Sequence, residues 1–341
     1  MSTPRLLTVI LNWRTPEMTL RAAEAAACAL DGLDGEIVIV DNCSGDGSEE
    51  KLRAGVAEAR WARDLPVRVI QSGRNGGFGA GNNAGIRAGR SDGVRPDYVY
   101  ILNSDAFPDP SAIAVLLHHL ESHPWVGIAG SFIYGEDGIP HATAFRFPSI
   151  ASEFEGAARI GLVSKLMPDA RVSLGVPNAT RKVDWLAGAS MLMRMDILDR
   201  SGLFDEAFFL YFEETELCRR VAALGAEVHY VLESRVMHLG SVSTGMRTWV
   251  RVPEYWYDSR WHYFTKTRGR AYAACATLAH LAGGVLCRLK LGLLRRPRVD
   301  PRRFLRTLAA HDARALLSRA HRPGSHPSRR PLGAPNAEDR R

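Results

Sequence analysis

The chain has 341 residues, 46% hydrophobic and 24% charged, an ordinary globular composition with enough length for one catalytic-size domain and an appendage. Its net charge of +7 is unevenly spread, because residues 251–341 carry 20 Lys and Arg against 6 Asp and Glu, while residues 1–250 carry 24 against 31. An acidic body with a basic tail excludes a general polyanion binder and leaves an anionic partner, membrane surface or nucleic acid, for the tail alone, unless the tail is simply solvated.

The opening apolar run is too short for the charged-then-apolar plan of a signal peptide and stops at Asn12, so it reads as a first β-strand, Leu6–Leu11. An Ala-rich helical stretch, Pro16–Leu30, separates it from a second β-branched run, Glu36–Val40, and together they form a βαβ unit. Pro66–Gln71 and Tyr98–Leu102 read as the next strands, with a Gly/Asn-rich loop and a short helix, Ala80–Ala88, between them. Residues 131–182 show no clear period, which suits loops and an acceptor-side insertion better than a separate domain. Ala271–Cys287 carries no formal charge, falls slightly short of the roughly 20 residues that span a bilayer, and is flanked by Arg268, Arg270 and Arg288. That pattern fits a helix in the membrane interface, or a buried helix of the fold. The last stretch, 321–341, reads as disordered, and no solenoid or propeller repeat is evident. Cys28, Cys43, Cys218, Cys275 and Cys287 are an odd number with no Cys-x-x-Cys spacing, which indicates neither a disulfide framework nor a zinc site and fits a reducing cytosol.

Polar residues gather where strands end. Asp41 and Asn42 follow the second strand at the edge where open α/β sheets bind ligands, although Asp and Asn also make turns. Asn103, Ser104 and Asp105 follow the fourth strand, and a carboxylate there suits a hard divalent cation held jointly with substrate phosphates. The segment 75–85, with Asn75, Gly76 and Asn83, lets backbone approach a ligand at a helix start but matches neither phosphate-loop pattern. Four bulky residues, Phe208 to Tyr211, precede the acids Glu213, Glu214 and Glu216, and crowded carboxylates beside aromatic surface tend toward a raised pKa, as a general base requires. The same acids at a helix start would also complement its dipole, an alternative for Glu213 and Glu216, with catalysis preferred for Glu214. His238, after a strand over Glu227–Leu232, is placed to complete a metal site with Asp105.

In order, VIVDNCSGDGS (38–48), NGGFGAGNNAG (75–85), LNSDA (102–106), WLAGASMLMRMDIL (185–198), GLFDEAFFLYFEETELCRR (202–220) and VMHLGSVS (236–243) resemble the inverting family-two glycosyltransferases of GT-A fold, in their rhamnosyltransferase-like branch. The resemblance implies a Rossmann-like α/β fold with a mainly parallel mixed sheet flanked by helices. It implies a catalytic domain over 1–250, an aromatic and apolar helical extension over 251–295 that associates with membrane, and a basic, partly disordered tail over 296–341. Asp41 is then expected at the nucleotide base, and Asp105 with His238 at a divalent metal, Mg2+ or Mn2+, with Asn103 standing where the family has an aspartate. Glu214, for the usual aspartate, is expected as the base, and Trp185, Gly188 and Ala189 as the wall between donor and acceptor. Arg260, in an aromatic segment, is expected either to touch a pyrophosphate or to pack. The implied activity moves a sugar, first L-rhamnose from dTDP-rhamnose, to a glycan or polyprenyl-diphosphate-linked acceptor in cell-surface polysaccharide synthesis. It would act at the cytoplasmic face of a bacterial inner membrane or in the cytoplasm, with the membrane met through residues 251–330 and without nucleic acid. The two competing readings are an inactive sugar-nucleotide-binding module and a nucleic-acid binder using the basic tail.

Overall fold

The computed structural model describes residues 3–240, 250–297 and 300–318. In chain order the first half gives β1 (Arg5–Asn12), α1 (Pro16–Ala29), β2 (Asp34–Asp41), α2 (Ser48–Glu58), β3 (Val67–Gln71), α3 (Gly77–Ala88), β4 (Tyr98–Asn103), β5 (Ala106–Pro108), α4 (Ala112–Ser122) and β6 (Val126–Tyr134). There follow β7 (Ala144–Phe145), α5 (Ile150–Ala158), α6 (Gly161–Leu166), β8 (Arg181–Val183), β9 (Trp185–Leu186), β10 (Ser190–Arg194), α7 (Met195–Ser201), α8 (Glu213–Ala223) and β11 (Glu227–His238). Three helices close the described chain: α9 (Glu254–Arg268), α10 (Arg270–Leu293) and α11 (Phe304–Leu317).

The main sheet runs β3-β2-β1-β4-β10-β6-β11-β5, with β8 paired to β11. Strands β3, β2, β1 and β4 are parallel, β10 is antiparallel to both β4 and β6, and β11 is parallel to β6. The parallel strands are apolar along their length because helices cover both faces. Leu6 and Ile10 of β1 pack on one face with Ala23 and Ala26 of α1 and Leu116 of α4. Leu7 and Val9 pack on the other with Ile86 of α3 and Leu217 and Val221 of α8. Ala22, Ala23, Ala26 and Ala29 give α1 a smooth buried face, so it lies close to the sheet.

The segment 131–182 is more ordered than its sequence suggests. It contributes α5 and α6, and α5 packs along α10. A β-carbon on Gly283 would sit 2.4 Å from the Phe154 carbonyl oxygen of α5, so only glycine lets these two helices come so close. Ala271–Cys287 therefore belongs to a 24-residue helix with one face packed on the fold, which runs past the uncharged core to include Arg270, Arg288 and Lys290. Helix α10 is long and apolar enough to cross a membrane by length and composition. Within 296–341, residues 304–317 form α11, whose Leu305, Leu308 and Ala315 are buried, so this part of the expected tail is folded. The stretch 321–341 lies outside the described residues, as do Ser241–Ser243 of the last motif.

Arg260 sits at the centre of the terminal helices. It is fully buried, with Nη2 2.8 Å from Glu153 of α5 and Nη1 3.0 Å from Asp312 of α11. The packing reading of Arg260 holds and the pyrophosphate reading does not, because its guanidinium is already committed to two carboxylates and the Thr277 hydroxyl.

Candidate active site

The carboxyl ends of β1, β2 and β4 open onto a cleft of about 620 Å³. Asn42, Asn75, Asn103, Asp105, Gly188, Glu214 and His238 line it, together with Trp13, Gly77, Phe78, Tyr211 and Glu213. Asp105 and His238 meet because of strand pairing: Ala106 opposes His238 across the β5–β11 ladder. Asp105, one residue before that rung, has its Oδ1 3.0 Å from His238 Nε2, and Asn103 Nδ2 lies 3.4 Å from the same nitrogen.

Asn42 and Asn75 shape the entry of α3. Asn42 Nδ2 donates to Asn75 Oδ1 at 3.1 Å and to the Gly77 carbonyl at 3.2 Å, and Asn75 Oδ1 also accepts the Gly77 amide. Gly76 precedes the first turn and is not part of the cleft lining. Asp41 lies one residue below the lining. Its carboxylate accepts from Asn12 at 2.7 Å, Ser44 hydroxyl at 2.5 Å, Ser44 amide at 3.0 Å and Gln71 at 3.0 Å. Burial pushes its pKa up, but those hydrogen bonds outweigh burial and hold it below the usual range. A contact to a nucleotide base would require Asp41 to give up one of these partners.

Two expected ligand residues turn outward from the cleft. Asn83 is wholly buried, donating to the Phe204 carbonyl at 2.8 Å and accepting the Phe204 amide at 3.1 Å. It ties α3 to the segment before α8, and its polar side chain is used up there rather than on a ligand. Trp185 stacks on Phe145 with ring centres 4.2 Å apart and donates to the Arg146 carbonyl at 2.9 Å. It lines a second cavity of about 310 Å³ rather than the first.

The three acids at the start of α8 have different environments. Glu216 is paired with Arg220 at 2.9 Å and Lys266 at 2.8 Å. Glu213 and Glu214 each have a buried Oε2 without a hydrogen-bond partner. Burial, then the neighbouring Glu214 charge, pushes Glu213 well up, and burial pushes Glu214 up to about 7. Glu214 borders both cavities, and it reaches that position because Tyr211 and Phe212 both adopt left-handed backbone, φ 69° each, immediately before the helix.

The segment leading to that turn is held from several sides. Asp205 accepts from His262 at 2.9 Å and Lys266 at 2.8 Å, and Glu206 from Arg87 at 2.6 Å and Arg74 at 3.1 Å. Burial acts against Asp205 ionisation, yet the His262 and Lys266 contacts win and lower its pKa. His141 and Thr143, from the aperiodic stretch, also line the cleft, and nothing in local sequence pattern marks them.

Residues 9–167 match the glycosyl transferase family 2 domain. The chain carries a family-two glycosyltransferase domain over those residues. It is 28% identical over 223 residues to an N-acetylglucosaminyl-diphospho-decaprenol L-rhamnosyltransferase of Mycobacterium tuberculosis (strain H37Rv), a match covering 61% of this chain and 68% of that one. It is 27% identical over 142 residues to the rhamnosyltransferase WbbL of Escherichia coli K12, covering 42% and 52%. Among solved structures, the mannosyltransferase PcManGT of Pyrobaculum calidifontis, in complex with GDP-Man and Mn2+, superposes with a TM-score of 0.52 at 15% identity, covering 94% of this chain and 82% of that one. TarS of S. aureus (residues 1–349) superposes at 0.51 and 12% identity, covering 92% and 81%. At those identities the structural likeness establishes the GT-A fold of this glycosyltransferase.

Proposed function

We propose that this glycosyltransferase transfers L-rhamnose, with inversion, from a nucleoside diphosphate donor to a hydroxyl of a lipid-diphosphate-linked sugar. The observation that carries the reading is the Glu214 carboxylate, partly buried, unpartnered at Oε2, raised toward neutrality and standing between two cavities. A group so placed takes a proton from an acceptor hydroxyl on one side while a donor sugar waits on the other. The first cavity, with Asn42, Asn75 and the start of α3, would hold the donor. The rhamnosyl donor and the lipid-linked acceptor rest on the mycobacterial relative's name and on the order of motifs.

A divalent cation fits the cleft. Asp105 and His238 present a carboxylate and an imidazole nitrogen 3.0 Å apart on its wall, a donor pair that leaves room for phosphate oxygens and water. Among the described residues no group of three or more acids, histidines or cysteines is placed to hold an ion, at this cleft or elsewhere, so the protein would supply two ligands. When bound there, the ion would neutralise charge on the departing diphosphate. Asp105 and His238 then fix where the diphosphate lies, Gly188 leaves room beside Phe78, and Glu214 accepts the proton.

We read residues 1–250 as the catalytic domain and the helices beyond as an extension that meets the cytoplasmic face of a membrane. Leu278, Val285, Leu289 and Leu293 form an exposed apolar row along α10, opposite the face packed on α5. Such a row with Arg268 and Arg270 at one end and Arg295 and Arg296 at the other suits an anionic interface.

The deciding experiment follows release of nucleoside diphosphate from a panel of nucleotide sugars, using wild type, Glu214→Gln and Asp105→Asn, with Mg2+ or Mn2+ against chelator. Metal-dependent release from a rhamnosyl donor in the presence of acceptor, lost in both variants, supports the reading. Nucleotide binding without release from any donor would replace it with a sugar-nucleotide-binding module.

A further inference from the structure

The cavity behind Glu214 continues into a third hollow, and the sequence of chemistries along them is ordered. The second cavity is walled by Trp185, Trp256 and Phe212, with Glu153 and His280 at its polar side. It shares Ser152, Gly156 and Val172 with a hollow of about 590 Å³ around Arg159, Lys165 and Arg171. Lys165 and Arg171 are exposed, and neither forms a salt bridge among the described residues. Arg159 has only a distant partner, Asp300 at 3.7 Å. The one acid in the hollow, Glu155, already accepts the Ser164 hydroxyl at 2.6 Å.

Beyond the basic hollow the surface becomes apolar. Helix α6, which carries Lys165, exposes Leu162 and Leu166 at 65% and 74%. Lys290 Nζ donates to the Arg159 carbonyl at 2.8 Å, which brings the end of α10 with exposed Leu289 and Leu293 to the same corner. Outward from Glu214 the order is therefore aromatic and polar, then cationic, then aliphatic.

We infer that this groove is the acceptor site and that Arg159, Lys165 and Arg171 hold the diphosphate of a sugar–diphosphate–lipid acceptor. Resting on the transferase reading above, it assigns that acceptor's three parts to three places. The sugar stacks between Trp185 and Trp256 with a hydroxyl toward Glu214, since flat aromatic walls match the apolar faces of a pyranose ring. The diphosphate lies among the three cations, where charge-assisted hydrogen bonds are strongest. The first isoprene units lie along Leu162, Leu166 and Leu289, which places the lipid where the apolar row of α10 would meet a bilayer.

The test is equilibrium binding of three water-soluble probes that share N-acetylglucosamine: a short-chain prenyl diphosphate, the corresponding monophosphate and an uncharged alkyl glycoside. They are titrated into the full chain, and inorganic diphosphate serves as a fourth ligand. Wild type is expected to bind the diphosphate probe about tenfold or more tightly than the glycoside. The Lys165→Glu/Arg171→Glu variant should lose that preference and keep its affinity for the glycoside, since both side chains are exposed and the fold does not rest on them. Trp256→Ala should weaken all three sugar probes and leave inorganic diphosphate unchanged. Equal binding of the three probes, or an unchanged diphosphate affinity in the charge-reversed variant, overturns the inference. So does inorganic diphosphate binding as tightly as the sugar probe, which would mark a plain anion site. Probe binding as expected, with no donor turnover in the presence of the probe, would instead count against the transferase reading and leave the groove assignment standing.

Discussion

The Phe209 carbonyl oxygen accepts the Phe78 amide at 3.0 Å, and it would lie 1.7 Å from a β-carbon placed on Gly77. The first turn of α3 and the segment that delivers Glu214 are thus locked by a contact that only glycine permits, at a residue whose φ is +86°. Gly77→Ala is expected to push the segment away and lower kcat/KM by about a hundredfold or more, since small misplacement of a catalytic group is costly. Gly73→Ala is the comparison, because its φ is +78° with nothing within 4 Å, so only backbone strain is added. Equal activity loss in the two variants would contradict the lock.

Glu213 and Glu214 tie activity and stability to pH in opposite directions. Burial raises Glu214 from 4.5 to about 7, and a base must be ionised, so kcat/KM should rise with pH up to about 7 and level above it. Folding, by contrast, favours the neutral acids. Their contribution to stability is whole below the unfolded value near 4.5 and is lost as pH climbs through the raised folded values. Glu213→Gln should therefore raise Tm at pH 8 by a few degrees, about 1–2 kcal/mol, and change it little at pH 4.5. Thermal melts at the two pH values give the answer, and a Tm gain that is larger in acid would refute it.

Arg260 is the hub on which α5, α9, α10 and α11 agree. Arg260→Ala would leave Glu153 to His280 at 2.7 Å and Asp312 to His311 at 2.8 Å, each without the guanidinium that joins them, and a loss of about 3 kcal/mol is expected from urea unfolding. Arg260→Lys should recover only part, because one ammonium cannot span both carboxylates as the guanidinium fork does. A wild-type midpoint for Arg260→Ala would show that the network is not structural.

The outer face of α10 predicts lipid binding. Full-length protein should sediment with vesicles containing anionic phospholipid at low salt, and Leu278→Glu/Leu289→Glu should lower the bound fraction by about tenfold. Neither side chain is in the core, so the variant's thermal melt should match wild type. Equal sedimentation of the two proteins would move the membrane contact elsewhere.

Strands β1, β2 and β4 are legible in sequence because a strand buried on both faces has no choice but a continuous apolar run. The acids of α8 stand out for a related reason: carboxylates next to Phe208–Tyr211 are chemically out of place. What sequence hides is which polar side chains are already spent. Asn83 and Asp41 look as available as Asn42 and Asp105, yet their hydrogen bonds come from Phe204, 121 residues away, and from Asn12, 29 residues away. The cavity behind Glu214 is equally silent, since it is made from α5, β9, α8, α9 and α10, whose contacts are long-range and carry no local period.

The turn through Tyr211 and Phe212 joins two frameworks of different kind. The cleft before it is built mostly on strand ends of the central sheet, whose register cannot slip without turning every core residue inside out. The groove after it is built mostly on α5 and α6 and on helices that follow the last strand of the sheet in the chain. Exposed groove residues within 148–172 and 254–293 can therefore be substituted without touching the register of the sheet or the cleft that rests on it.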